Sequence, residues 1–588
     1  MKKLLSGDEA VARGAWEAGC NVATSYPGTP ATEILENICK YSEIHSEWST
    51  NEKVAFDVAA GACFAGARAL VSMKHVGLNV AADPLLVMPY RGVMGGFVVV
   101  SADDPGMWSS QNEQDNRWYA LFAKLPMLEP SDSQETKDFT KLAFEISEKF
   151  DTPVLLRLTT RISHSKSIVE LGERIEHKPQ GYVPDPQKLF VLPATLNAKK
   201  RHPLIEERIL QLQKYSEDFN AKYVEPAKSR PDGEVRHQVE LKDSSLGIIT
   251  SGISYQYAKE VFPSASYLKV SMTYPVPKSL IIDFAGKVDK ILVIEEGDPF
   301  LETQVKALGI NVIGKEKIPI CGELDQLVLK KGFNVNVEKI QEAPLERIPA
   351  RPPVMCPGCP HRATFYVLNK LKIHSMGDIG CYTLGGLPPF NAMDSYICMG
   401  ASIGNAYGIE ATGETKTKIV AVIGDSTFFH TGIPSLINVV YNKGHTTVIV
   451  LDNLTTAMTG HQAHPGTGKT LKGEETVRLS IEDIAKACGV KNVFVVDAYN
   501  IAEIKKVIKR EVQKAEPSVI IPRGNCALRV PRKQYLKVDP EICIGCKVCM
   551  ELGCPAIIIQ EKKAIIDDTF CNGCELCSQV CPKSAIMK

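Results

Sequence analysis

Between Cys543 and Cys581 the chain reads CIGCKVCMELGCP and then CNGCELCSQVCP. Each run sets three cysteines two residues apart and closes on a fourth directly before a proline. Three thiolates on one tight loop can wrap three corners of a cubane iron–sulfur cluster, with the fourth thiolate supplied by the other run. On that reading Cys543, Cys546, Cys549 and Cys581 hold one 4Fe–4S cluster, and Cys571, Cys574, Cys577 and Cys554 hold a second. Two zinc sites are the competing reading, because paired CxxC steps also suit tetrahedral zinc. The doubled CxxCxxC with its CP ending is the more specific signal, and it is a signal for clusters. Four residues, not three, separate Cys549 from Cys554, which inserts a bulge into the first run.

Electron carriage alone does not need 588 residues. At about 150 residues per domain the length predicts roughly four domains with several cores. The 68 lysines and arginines balance the 68 aspartates and glutamates, which gives no case for binding nucleic acid or a membrane surface. Eight of the 18 cysteines lie in the two runs, so a reducing, cytoplasmic setting fits better than a disulfide framework. The opening MKKLLSGDEAVARGAWEAG lacks an apolar core for a signal peptide, and no window is apolar enough to span a bilayer.

Residues 1–165 alternate helical stretches (Asp8 to Ala18, Val54 to Leu70) with apolar runs such as FVVVSADD and PVLLRLTT, a pattern of parallel sheet covered by helices. From 166 to 240 the sequence turns charged and proline-rich and is expected to be a linker or excursion with one helical piece, Leu204 to Phe219. A third α/β block is expected over 241–335, with strands at LGIITSG and KILVIEEGD and a helix at Leu301 to Leu308. The proline-rich joint APLERIPARPPV leads to another α/β block over 350–527. The two cluster repeats follow, at 533–563 and 564–588.

In the fourth block, KIVAVIGDS is an apolar strand ending in Gly424, Asp425 and Ser426, and TTVIVLDN is another ending in Asp452 and Asn453. The spacing from Asp425 to Asn453, about 28 residues, suits one strand–helix–strand crossover, so both polar ends emerge at the carboxyl edge of neighbouring strands. A carboxylate, an amide oxygen and a nearby main-chain carbonyl form a hard-oxygen set for magnesium and the phosphates it carries. Gly424 is expected to let the backbone approach those phosphates. The pattern resembles the thiamine-diphosphate motif, by which Asp425 and Asn453 are magnesium ligands and Thr455 supplies its carbonyl. Thiamine chemistry also needs a carboxylate beside the aminopyrimidine. Glu52, opening an Ala- and Gly-rich helix, is the candidate, although an acid in a first turn also simply answers the helix dipole.

The chain as a whole resembles the alpha subunits of the indolepyruvate:ferredoxin oxidoreductases, within the 2-oxoacid:ferredoxin oxidoreductase superfamily. The resemblance rests on YPGTPATEI from Tyr26, NEKVAFDVAAGA around Glu52, KHVGLNVAADP from Lys74, SADDPGMWSSQNEQDNR from Ser101, CPGCPHR from Cys356, GDIGCYTLG, GDSTFFHTG, LDNLTTAMTGHQ and the tail. It implies a multidomain α/β fold: a pyrimidine-binding domain (1–165), a transketolase C-terminal-like domain (241–335), a diphosphate-binding domain (350–527) and a two-cluster ferredoxin-like α+β tail. It further implies oxidative decarboxylation of aryl 2-oxoacids to acyl-CoA and carbon dioxide, with coenzyme A as co-substrate and electrons leaving through the clusters to ferredoxin. A smaller beta subunit is the expected partner. By the same resemblance Glu52 is the carboxylate at the aminopyrimidine, and Thr29 faces the substrate. Helix capping is the other reading of Thr29. A non-oxidative thiamine decarboxylase with a redox tail, and an electron-transfer subunit without catalysis of its own, are the alternative functions.

By the same resemblance Cys356 and Cys359 in CPGC, Cys381 in GDIGC and Cys526 in PRGNC are the candidates for a third cluster, near the thiamine. A zinc site from Cys356, Cys359, His361 and Cys381 competes with it, as do four reduced cysteines in separate loops. His361 also reads as a satisfied loop histidine or an active-site group. AHPGTGKT, from Ala463, nearly spells a P-loop but lacks its first glycine and a leading strand. Cys20, Cys39, Cys63, Cys321, Cys398 and Cys488 are expected to be small core hydrophobes.

Overall fold

The computed structural model describes residues 1–185, 188, 197–222, 224–225, 236–335, 349, 352–413 and 418–588. It divides into two units, Met1–Ala343 and Pro344–Lys588. Most of the joint APLERIPARPPV lies outside the described residues, as do parts of the 166–240 segment.

The first unit is built on a seven-stranded sheet in the order Met272–Tyr274, Met127–Leu128, Val154–Thr159, Phe97–Asp103, Ala69–Lys74, Val22–Ser25, His45–Trp48. All pairs are parallel except the one that adds Met272–Tyr274. Phe97–Asp103 and Val154–Thr159 are buried along their whole length, as strands covered on both faces by helices must be. Local signals start the helices. Ser6 and Glu9 form a reciprocal capping box ahead of Gly7–Glu17, and the Asn51 side chain caps Glu52–Phe64. The second of these stops at Phe64, short of the Leu70 expected, because Gly66 takes a positive φ of 79° and Ala69–Lys74 continues as a strand.

Residues 241–335 do not stand apart from residues 1–165. They supply the strand Met272–Tyr274 to the large sheet, and Ile249, Leu268, Phe284, Val293 and Phe300 share one core with Phe56, Val71, Leu85 and Phe97. The smaller sheet of this region has the order Val239–Glu240, Ser266–Lys269, Gly247–Thr250, Ile291–Ile294. The expected linker also differs. Lys166–Glu170 pairs antiparallel with Lys2–Ser6, and the helix runs from Asn197 to Lys222, longer than expected, with Ile205 and Leu212 buried. An apolar stripe within charged sequence gives this helix a face to bury, which composition alone conceals.

The second unit contains a five-stranded, all-parallel sheet ordered His374–Met376, Ile419–Gly424, Thr447–Leu451, Ser518–Arg523, Asn492–Asp497. The cysteine-rich tail adds two small antiparallel ribbons, Lys537–Val538 with Ile586–Met587 and Ile557–Gln560 with Lys563–Ile566. Its Leu536, Leu552, Ile557 and Leu576 pack in the same core as Phe365, Val422 and Leu451, so tail and sheet form one body.

Candidate functional site

The strand Ile419–Gly424 runs directly into a helical turn at Asp425–Thr427, which leaves Asp425 at the carboxyl edge of the sheet with 3% of its surface exposed. Its Oδ1 accepts from the Ser426 amide at 2.8 Å, and its Oδ2 accepts from the Leu454 amide at 2.8 Å. The second bond joins the neighbouring strand's loop, where Asn453 and Thr455 are both buried. Leu454 takes a positive φ of 61° between them, and the Thr455 amide donates to Asn453 Oδ1 at 3.2 Å. The expected ligands Asp425, Asn453 and Thr455 thus meet. Ser426 Oγ accepts from Thr456 Oγ1 at 2.8 Å.

Two histidines pack against this set. His464 Nε2 lies 3.2 Å from Asp425 Oδ2, and His361 Nε2 lies 3.4 Å from Asn453 Nδ2. Burial pushes the Asp425 carboxyl up, but His464 and the Ser426 amide outweigh it and hold it below its ordinary value. Burial and the charge of Asp425 push Asp452 up to about 6, against the pull of Arg523. Burial depresses His361 to about 4, so that ring is neutral at neutral pH. A buried carboxylate that repels its neighbour, beside an amide oxygen, is a donor set that a hard divalent cation such as magnesium suits. Gly424 also serves the packing beside the site. It has an extended φ of −83°, and a Cβ there would lie 2.6 Å from Cε1 of Tyr382, so the glycine makes room for that ring.

In the first unit, Glu52 begins its helix with 6% of its surface exposed. Gly77 makes the room: a Cβ at that position would lie 2.7 Å from Glu52 Oε1. Lys74 belongs to the same neighbourhood. Its Nζ donates to the Ser109 carbonyl at 2.7 Å, and burial lowers its ammonium to about 8 while Asp104 and Glu52 pull it up. Ser109 Oγ in turn donates to the Thr29 carbonyl at 3.0 Å. Thr29 is half-buried and caps nothing: the next helix starts at Thr32, and its N-cap Ala31 makes no side-chain hydrogen bond. Sequence reasoning passed over Lys74, although it opens one of the quoted motifs and ends a buried strand, as catalytic-edge residues do.

The tail folds its two runs across each other. Cys543, Cys546, Cys549 and Cys581 line one largely apolar pocket. Burial and the other three thiols of that set push Cys549 up, and burial with Cys574, Cys554 and Cys571 does the same to Cys577. A third group forms in the diphosphate block. Burial, Cys381 and Cys356 push Cys359 up to about 12, while burial, Cys526 and Cys356 push Cys381 up to about 11. Thiols that oppose one another's ionisation are suited to a shared cationic core, which removes that penalty.

Two other expectations resolve here. In AHPGTGKT, His464 caps a single turn, Pro465–Thr467, the nearest preceding strand ends at Leu451 and the next helix starts at Ile481, so no P-loop forms. Cys20 and Cys63 are buried as expected, but Cys321 and Cys398 are exposed and serve no core.

A parallel sheet with a GDS strand end, a Glu-headed helix and a dicluster tail define a thiamine-diphosphate-dependent oxidoreductase with iron–sulfur centres. Residues 13–205 match the pyruvate flavodoxin/ferredoxin oxidoreductase thiamine-diphosphate-binding domain, 378–521 the C-terminal thiamine-pyrophosphate-binding domain and 535–585 the 4Fe–4S dicluster domain. Indolepyruvate oxidoreductase subunit IorA of Archaeoglobus fulgidus is 42% identical across 100% of this chain and 97% of its own length. The subunit of the same name from Pyrococcus horikoshii is 41% identical with the same coverage. The 2-oxoglutarate synthase subunit KorA of Methanothermobacter thermautotrophicus is 25% identical over 54% of this chain and 94% of its own. The chain belongs to the IorA family of thiamine-diphosphate-dependent 2-oxoacid:ferredoxin oxidoreductases. Among the described residues no helix is long and apolar enough to cross a membrane.

Proposed function

We propose that this chain is the catalytic subunit of a cytoplasmic oxidoreductase that converts aryl 2-oxoacids, indolepyruvate among them, to acyl-CoA and carbon dioxide. Its electrons pass to ferredoxin, and a small beta subunit completes the enzyme. One observation carries the oxidative reading. The Cys526 amide donates to the Asn453 carbonyl at 3.2 Å, so the third cysteine group is built into the same loops as the magnesium set. The buried Arg362 extends the connection, because its guanidinium donates to the carbonyls of Cys356 (2.9 Å), Met355 (2.8 Å) and Leu552, the last two residues ahead of Cys554. Cys356, Cys359, Cys381 and Cys526 would therefore take electrons first, and the two tail groups would relay them outward. A decarboxylase that released an aldehyde would have no use for such a route.

Asp425, Asn453 and the Thr455 carbonyl would hold magnesium and with it the diphosphate. Glu52 would exchange a proton with the aminopyrimidine from its buried carboxylate, packed against Gly77. Thr29 and Lys74, joined through Ser109, would meet the substrate, the ammonium of Lys74 pairing with its carboxylate. Bound thiamine diphosphate supplies the electron sink for decarboxylation. Anaerobic reduction of ferredoxin with indolepyruvate, phenylpyruvate, pyruvate and 2-oxoglutarate, each with and without coenzyme A, tests this reading. Aryl substrates with coenzyme A should give the highest kcat/KM. Preference for pyruvate or 2-oxoglutarate would overturn the substrate class, and an aldehyde product without ferredoxin reduction would overturn the oxidative reading.

A further inference from the structure

We propose that Asp8, Glu33 and His164 form a binding site for one divalent transition-metal cation, of the zinc or manganese kind, in the first unit. Asp8 lies in the first turn of Gly7–Glu17, Glu33 in the first turn of Thr32–Ile38, and His164 ends Thr160–His164. One ligand atom from each residue lies within 4.8 Å of the other two.

The site's unmet hydrogen bonding points to a cation. Asp8 is 0% exposed, and neither of its carboxylate oxygens has a hydrogen-bond partner. Glu33 Oε2, Thr32 Oγ1 and Ser163 Oγ are likewise buried without partners, which gathers five orphaned oxygens on residues 8, 32, 33 and 163. Buried polar atoms are satisfied in nearly all folded proteins, so a local concentration of exceptions calls for a ligand. Among the described residues no lysine or arginine nitrogen lies within 4.0 Å of either carboxylate. The one nearby base is His164, whose Nε2 is 3.8 Å from Glu33 Oε2. Burial and the charge of Glu33 push the Asp8 carboxyl above its ordinary value, with the Ser163 side chain pulling the other way. The dipole of the helix that carries Asp8 eases the charge but coordinates neither oxygen.

The donor set selects the ion. Two carboxylates and one imidazole, without a thiolate, suit zinc or manganese, and three protein ligands leave positions for water. Glu33 and His164 are about half exposed and give the ion its way in. Glu33 follows Thr29 by one helical turn, so the ion would brace the start of the helix behind the loop that carries Thr29.

The full-length protein, freed of loose metal by a chelator and checked for intact iron, is titrated with manganese, free ion being read by electron paramagnetic resonance. Wild-type protein should bind one manganese more than Asp8→Asn or His164→Ala, with affinity at the site lowered at least about tenfold in each variant. Manganese should raise the Tm of the wild type more than that of either variant. The magnesium set around Asp425 is present in all three proteins and cancels from the difference. His164 is half exposed, so His164→Ala decides the matter even if Asp8→Asn fails to fold. Equal stoichiometry in wild type and His164→Ala would overturn the proposal. So would a metal-independent rise in Tm for Asp8→Asn, which would mark Asp8 as a proton-sharing partner of Glu33.

Discussion

The loops that carry Asp425 and Asn453 leave a sheet whose strands Ile419–Gly424 and Thr447–Leu451 are buried almost throughout. The loops that carry Cys543 to Cys581 leave ribbons only two to four residues long. At the sheet edges, in both units, apolar burial and main-chain hydrogen bonds already hold the side chains in place, and the cofactor enters a formed site. In the tail the ribbons are short and the cysteine loops between them carry few main-chain ladders of their own, so the ligands' bonds to a cluster should contribute much of the energy that orders those loops. Removing a cofactor should therefore leave the sheet edges folded and loosen the tail.

The sharpest way to break this contrast is Cys574→Ser. We expect loss of one cluster's iron and of nearly all ferredoxin reduction. Hydrogen exchange should speed up across Ile557–Ile566 while Thr447–Leu451 stays protected. Equal protection of both regions in the variant would show that the tail does not depend on its metal. Substitution is a cleaner test than truncation, because the tail's Leu536, Leu552 and Leu576 belong to the core beneath the sheet.

Next in size is Glu52→Gln, which keeps the packing against Gly77 and removes the ionisable proton site. Turnover should fall by roughly 10²- to 10⁴-fold with thiamine affinity nearly unchanged, as measured by steady-state kinetics and cofactor titration. A near-normal rate would remove Glu52 from the mechanism.

The sheet edges should also show their reliance on burial through pH. Burial, and then Lys74, depress His75 to about 4, below the ordinary 6.5 or so of an unfolded chain. The unfolded chain therefore takes up the proton first. This contribution to stability is whole above about pH 6.5 and is lost as pH falls toward 4, by about 2 kcal/mol between pH 7 and pH 5. Urea unfolding of wild type and His75→Gln at both pH values checks it, and parallel losses in the two proteins would discount the histidine.

The smallest effect is local. Ser480 caps Ile481–Ala487 by accepting from the Asp483 amide at 3.1 Å, ahead of the Glu482 carboxylate that pairs with Arg523. Ser480→Ala should cost about 1 kcal/mol of stability, read by the same unfolding experiment, and leave the iron content unchanged.

The buried strands were legible in the sequence because unbroken apolar runs such as FVVV and VAVI have few other places to go. The union of residues 241–335 with residues 1–165 was not legible. The strand that joins them, Met272–Tyr274, has three residues and no pattern of its own. The helix Asn197–Lys222 was half legible, since its charged face outweighs its apolar stripe in any count of composition. At the sites, Asp425 and Asn453 could be read from a strand-end motif and Lys74 carried the same kind of signal at the end of a buried strand, whereas His464 could not be read, because nothing local marks which polar residue a distant carboxylate will meet.

By itself the sequence determined the grouping of cysteines within each run, the strand ends that carry Asp425 and Asn453, and the helix headed by Glu52. Each of these follows from spacing over a few residues, where chain geometry leaves little choice. Only the tertiary structure decided that Cys526 bonds the loop of Asn453, that Lys74 lies beside Glu52, and that Asp8, Glu33 and His164 converge with their oxygens unsatisfied. Those meetings join residues from about twenty to more than 150 positions apart. They are set by which sheet edges and helix ends the packed core brings together, and local sequence carries no energy term that specifies them.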